Sequence, residues 1–191
     1  RNEEKPFFMF ISQLEPHHQN DHGHFEGPTE KIEKFRNYPL PDDLTFLKGN
    51  YEEEYPDYLA AISSLDDNVG RLIETLKEKG IYENTVIVYT SDHGCHFKTR
   101  NIEYKRSCHD SSIHTPLVFG GGAINKSENS KALASLIDLP PTLLHLAGID
   151  IPDSYSGKIL PVNGYDCEER DCVFVQISES HIGRCVRTKE W

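Results

Sequence analysis

The chain lacks any apolar run approaching the roughly 20 residues that a membrane-spanning helix needs, so no membrane segment is expected. It also lacks an excess of basic residues. Lys and Arg number 20 against 31 Asp and Glu, for a net charge of −11. A general nucleic-acid binder needs a basic face for phosphate backbones, so that class is excluded. An anionic small molecule is not excluded, because a cationic pocket can sit within an acidic surface. No C-x-x-C pair occurs among Cys95, Cys108, Cys167, Cys172 and Cys185, which argues against a structural zinc site. Their odd number fits free thiols in a reducing compartment such as the cytoplasm. A bridge between Cys167 and Cys172, or between Cys95 and Cys108, is the alternative. No signal peptide, initiator Met, repeat or low-complexity segment is visible. The chain opens on Arg1-Asn2-Glu3-Glu4-Lys5 and meets an apolar run at once. That reads as a fragment or processed piece, with any targeting signal lying outside it.

What is present is enough for one domain with a core: 191 residues, 37% of them hydrophobic. Residues 6–14 (PFFMFISQL) are nearly all apolar and aromatic, which predicts a buried strand. Residues 15–41 are rich in His, Asn, Gly and Pro and predict a long functional loop. Between residues 56 and 79, Leu59, Ile62, Leu65, Val69, Leu72, Ile73 and Leu76 recur at three- and four-residue steps, with Gly80 as a stop. This spacing predicts an amphipathic helix. Residues 85–91 and 116–119 predict two further strands, and residues 132–137 a short one. Residues 142–147 predict a short helix capped by Asp138, and residues 172–177 and 184–187 a late hairpin. Alternation of strands and helices points to an α/β fold, a mixed and mostly parallel sheet flanked by helices, with a small antiparallel element at the C-terminal end.

The chemistry concentrates after residues 85–90, where Ser91-Asp92-His93-Gly94 follows a buried strand. Ligands in α/β sheets bind at the C-terminal edge of strands. A carboxylate and an imidazole there can share one cation once the backbone turns. Oxygen suits calcium or magnesium, and imidazole leans toward manganese or zinc. A turn capped by Asp is the structural alternative. His17, His18, His22 and His24 crowd one loop and read as a metal tract, an active-site lining or an exposed loop. Lys98, Arg100, Lys105, Arg106, His109 and His114 gather between two strands. A Lys among them can bind an ester oxyanion, the alternative being a solvated basic loop. Asp66 and Asp67 read as a solvated helix face with one structural hydrogen bond.

These residues add up to a resemblance. Residues 86–119 (VIVYTSDHGCHFKTRNIEYKRSCHDSSIHTPLVF) resemble the C-terminal half of the sulfatase family, within the alkaline-phosphatase-like superfamily. That family has a strand ending in D-N-G or D-H-G, then a Lys, an acidic residue and an Arg-x-Pro-Leu strand. Lys105 stands at the family's spacing, Asp110 takes the acidic place, and His114 replaces the Arg. Residues 7–17 (FFMFISQLEPH), the helix carrying Asp66-x-x-Val69-Gly70, residues 137–152 (IDLPPTLLHLAGIDIP), residues 156–160 and residues 184–191 agree with further family segments in collinear order. The implied organisation is the C-terminal half of a catalytic domain over residues 1–150 and the start of a C-terminal subdomain over 151–191.

The resemblance implies a metal-assisted sulfuric ester hydrolase acting on a small-molecule or carbohydrate sulfate ester. It assigns Asp92 and His93 as metal ligands, Lys105 as the sulfate contact and His17 as the ester contact. His18, His109 and Lys98 are expected to line the substrate. Calcium is the expected ion, with manganese or magnesium the alternatives where His93 stands for Asn. The family's formylglycine nucleophile arises in a C/S-x-P/A-x-R motif of its N-terminal half. No cysteine here fits, and Ser180, although followed by Arg184, has Ile182 in the Pro/Ala place. The chain alone is therefore expected to be inactive, and an apolar sheet edge left open would favour self-association. A phosphodiesterase or phosphonate monoester hydrolase of the same superfamily is the second reading. A non-catalytic domain that keeps the fold is the third.

Overall fold

The computed structural model describes residues 5–179 and 182–191. Ser180 therefore lies outside the described residues. The chain divides into two units, residues 1–39 with 50–74 and residues 40–49 with 75–191.

In the first unit, residues 6–14 form no strand or helix. Phe8 is 76% and Phe10 81% exposed, so the expected buried strand is not formed. A strand needs a neighbour to take its backbone groups, and no described segment pairs with this one. The expected long loop is also shorter than residues 15–41. A tight turn, closed by Gln19 N to His24 O at 2.9 Å, returns the chain to Phe25, which is buried. Helix α1 (Thr29–Phe35) then forms, with Glu30 in its first turn and Lys34 in its last, as the helix dipole favours.

The long helix of the sequence pattern, α2, spans Tyr51–Glu78 and starts five residues before Pro56. Asn50 explains the earlier start. Its carbonyl accepts from Glu53 and Glu54, and its side-chain amide donates to the Glu54 carboxylate. Three glutamates in the first turn add to this. Tyr55, Ala60, Ala61 and Leu65 are buried, and Phe25 meets Tyr58 edge-on at 5.3 Å. Lys31 donates to Ser63 O at 2.9 Å and pairs with Asp67 at 2.5 Å. Asp66 and Asp67 thus lie on a solvated face with one structural bond, as expected. Farther along, Leu72 is 39% exposed, so the apolar stripe outruns what this chain covers.

In the second unit, strands β1 (Ile87–Thr90) and β2 (Leu117–Gly120) pair antiparallel, with Val88 opposite Phe119. Strands β3 (Val173–Ser178) and β4 (Ile182–Arg187) form an antiparallel hairpin, with Val175 opposite Cys185. Among the described residues there is no parallel pair, against the expected mostly parallel sheet. Parallel neighbours need a crossover of a dozen or more residues, usually helical. Between β1 and β2 the only helix is the four-residue turn Asp110–Ile113. Gly121, at φ +93°, passes so close to Thr85 that a side chain would strike its carbonyl.

Residues 132–137 do not form the expected strand. The segment ends instead in a 3₁₀ turn, Leu136–Asp138, followed by the helix Leu139–Leu146. Asp138 is buried and is a hub rather than a helix cap. Its carboxylate accepts from Ser135 N and Lys158 N, both at 2.8 Å, and pairs with Arg170. Thr142, also buried, donates to Asp138 O at 2.6 Å and accepts from Leu160 N at 3.0 Å. These two residues pin the segment 157–160 against the helix. Removing a buried acceptor strands its partners without solvent. Asp138→Ala is therefore expected to lower the unfolding free energy by about 3 kcal/mol in urea denaturation.

Candidate metal and oxyanion site

The loop that follows β1 turns immediately. Asp92 Oδ1 accepts from His93 N at 2.9 Å, and Ser91 Oγ donates to His93 O at 2.9 Å. The Asp-capped turn, given above as the structural alternative, is therefore formed. His93 Nδ1 lies 2.9 Å from Gly94 O. A carbonyl only accepts, so Nδ1 carries the proton and Nε2 presents its lone pair. That Nε2 stands 3.5 Å from Asp92 Oδ2. The two side chains face one another across a gap that one cation can bridge, with Asp92 82% exposed. The donor set suits a divalent ion that accepts both oxygen and nitrogen. Among the described residues no group of three His, Cys, Asp or Glu is arranged to hold a metal. Asp92 and His93 therefore stand as a facing pair with no third candidate ligand beside them among the described residues.

Gly94 explains why the triplet ends in glycine. Its N donates to Ser112 O at 2.8 Å, and a Cβ would overlap the Ser111 carbonyl. The backbone runs too close for any side chain. Past it, Cys95, His96 and Phe97 are buried. Phe97 and Lys98 turn the chain back with φ of +46° and +59°. Lys98 is exposed at the tip of this turn.

The cations of this loop differ in their partners. Arg106 is held by Glu103 and Glu179. Arg100 donates to Asp43 O at 3.1 Å, and Asp43 Oδ2 accepts from Ser111 N at 3.0 Å. Asp110 takes both guanidinium nitrogens of Arg187, at 2.7 and 3.2 Å. Lys98 and Lys105 have no ion pair among the described residues. Lys105 Nζ lies 5.6 Å from the centroid of Tyr104. His109 is exposed, and its carbonyl accepts from Ser112 and Ile113 at the start of the helical turn 110–113. His114 is exposed, its N bonded to Asp110 O at 2.9 Å.

His17 and His18 belong to the other unit. His17 N donates to Leu14 O at 2.9 Å, and Gln19 Nε2 donates to His17 O at 3.2 Å, which fixes the turn after residues 6–14. His18 is buried, edge-on to Phe25 at 5.1 Å, with Nε2 3.9 Å from Glu54 Oε2. His22 bonds Glu26, which also lies 3.8 Å from His24.

Sequence reasoning missed His96, which is completely buried with neither ring nitrogen bonded to a described residue. The one available signal was a Cys-His-Phe triplet in an otherwise polar segment. Sequence reasoning also missed the bracket formed by Asp43. Neither candidate disulfide forms. Cys95 is buried with its sulfur accepting from Phe97 N at 3.4 Å, and Cys108 faces Cys185 instead.

Comparison with known proteins identifies the family. The sulfatase family model matches residues 1–149. Arylsulfatase K of Bos taurus is 35% identical over 105 residues, covering 54% of this chain and 19% of that protein. N-acetylglucosamine-6-O-sulfatase of Bacteroides thetaiotaomicron is 31% identical over 132 residues, covering 69% and 24%. The solved structure of BT4656 in complex with its substrate D-glucosamine-2-N,6-O-disulfate superimposes with a TM-score of 0.58 at 25% identity, covering 84% of this chain and 35% of that one. The chain thus spans about a fifth to a quarter of the length of these two curated relatives.

Two outcomes test the local geometry. Gly94→Ala is expected to cost about 2 kcal/mol, read as a lower urea midpoint, because the added methyl has no room beside Ser111. Burial holds the His96 imidazole below its ordinary value of 6.5. As pH falls below that value, the unfolded chain binds a proton that the folded chain refuses, so stability declines. The urea midpoint is expected to drop from neutral pH toward the folded-state value, with a shallower slope in His96→Asn. With the motifs, the turn geometry and a family match over residues 1–149 in agreement, the chain belongs to the sulfatase family.

Proposed function

We propose that this chain supplies the C-terminal part of the catalytic domain of a metal-assisted sulfuric ester hydrolase. The observation that carries the reading is the facing pair Asp92 and His93 in the turn after β1, in a chain of the sulfatase family. The domain part spans residues 1–150, and residues 151–191 open a C-terminal subdomain. Within the whole protein, residues 6–14 become a strand of a mostly parallel sheet once neighbouring strands cover them. A sulfated carbohydrate or another small sulfate ester is the proposed substrate, in line with the sulfated glucosamine bound by BT4656.

Asp92 and His93 hold the divalent ion, calcium in the first instance, with manganese or magnesium as alternatives. A cation bound there supplies Lewis-acid stabilisation of the negative charge on sulfate oxygens. Lys105 donates to a sulfate oxygen. The support for this role is electrostatic: Arg100 and Arg106 are engaged within the fold, whereas Lys98 and Lys105 retain unneutralised charge for an anion. His17 donates to the ester oxygen on the leaving-group side. Lys98 and His109, both exposed, contact the remainder of the substrate. His18, packed between Phe25 and Glu54, supports the turn that carries His17. A formylglycine nucleophile is proposed in the part of the catalytic domain not represented in these residues.

The test uses an aryl sulfate with the longer protein that carries this chain. Lys105→Ala is expected to lower kcat/KM by roughly 100-fold or more, the scale of losing one charge-stabilising donor. Asp92→Ala is expected to abolish metal binding in a calorimetric titration. The 191-residue chain alone is expected to show no turnover. Preferential cleavage of a phosphonate or phosphate ester by the longer protein would overturn the reading in favour of the second one.

A further inference from the structure

The C-terminal hairpin and the loop carrying Lys105 meet along a line of three contacts. Along β4, side chains alternate between faces, which places Gly183, Cys185 and Arg187 on the half-buried side. Arg187 pairs with Asp110 through two nitrogens. Glu179, at the end of β3, pairs with Arg106. Between these two ion pairs lie two thiols. Cys185 Sγ donates to Cys108 O at 3.9 Å, so the two cysteines are neighbours. Gly183 leaves the space that the Cys108 sulfur occupies: a Cβ built there would lie 3.5 Å from it. Both cysteines are partly accessible. The nearest rungs of the contact are held by charge, so the thiols cannot drift apart without breaking an ion pair on one side or the other.

We propose that Cys108 and Cys185 form a reversible disulfide that locks the hairpin onto the loop bearing Lys105 and His109. The co-reactant is a low-molecular-weight disulfide such as oxidised glutathione. Burial and the neighbouring thiol raise the Cys108 pKa above its ordinary value, which lowers its thiolate fraction. The Cys185 thiolate attacks one glutathione sulfur, forming a mixed disulfide and expelling one glutathione thiolate. The Cys108 thiolate then displaces the second glutathione, closing the protein disulfide. Two protein thiols are oxidised by two electrons, one glutathione disulfide is reduced to two glutathione thiols, and the protons pass to those leaving groups. The proposal is independent of the hydrolase reading, because it concerns covalent chemistry that no ester substrate enters.

The experiment incubates the reduced, folded chain with oxidised glutathione and maps its peptides without reduction. The expected result is loss of two of the five thiols, with the peptides of Cys108 and Cys185 linked. Hydrogen exchange across residues 105–110 is expected to slow about tenfold on oxidation and to recover with dithiothreitol. Cys185→Ser keeps a donor to Cys108 O and is expected to remove the cross-link without altering circular dichroism. Cys172→Ser, at an exposed site, is expected to leave the cross-link intact. Glutathione retained on Cys108 or Cys185 as a stable mixed disulfide would overturn the proposal. So would a cross-link of either to another cysteine, or a cross-linked chain with unchanged exchange at residues 105–110.

Discussion

The organisation of the second unit depends on one close approach, the backbone of Gly94 against Ser111 and Ser112. The bond from Gly94 N to Ser112 O closes a loop of nearly twenty residues at its neck. Everything the loop presents is then constrained. The turn at Asp92 and His93 sits just before the neck. Ser107 and Ser112 share a buried hydroxyl bond at 2.8 Å just inside it. Asp43 reaches the same neck from a separate segment and bonds Ser111 N. A side chain at position 94 would separate these groups together, because interiors at native density cannot yield locally.

The electrostatics of the loop follow from which cations are already satisfied. The chain is acidic overall, yet residues 98–109 carry four Lys and Arg side chains. Two of them spend their charge on structure, Arg106 on two glutamates and Arg100 on the Asp43 carbonyl. A guanidinium suits such roles, since its fork of donors holds several acceptors at fixed angles. The two lysines keep compact charges on flexible stems. Lys98 and Lys105 are two cations of this loop that form no ion pair among the described residues. The same division accounts for Asp110, which the family pattern links to a following Arg. His114 stands at that place here, and Asp110 takes Arg187 from the distant hairpin.

Much of the local structure was legible from residue spacing. The long helix from residue 56 onward, the strands at 87–90 and 117–120, the short helix that begins around Pro140-Pro141 and the terminal hairpin all follow from periodicity and punctuation. The collinear motifs pointed to the family. The segment 6–14 was misread because apolar composition reports a wish for burial, not the presence of a neighbour. The segment 132–137 was misread because Asp138 captures the Ser135 amide and diverts the chain into a 3₁₀ turn.

The linear order of residues settled that a carboxylate and an imidazole stand side by side after a strand, and that a lysine follows at the family's spacing. These are covalent neighbours or short-range patterns, and no folding is needed to read them. Folding settled the rest. The engagement of Arg100 with Asp43 and of Arg106 with Glu179, the burial of His96 and the meeting of Cys108 with Cys185 all arise between residues brought together by packing. Such pairings depend on which surfaces the chain closes against itself, and a one-dimensional pattern carries no record of that closure.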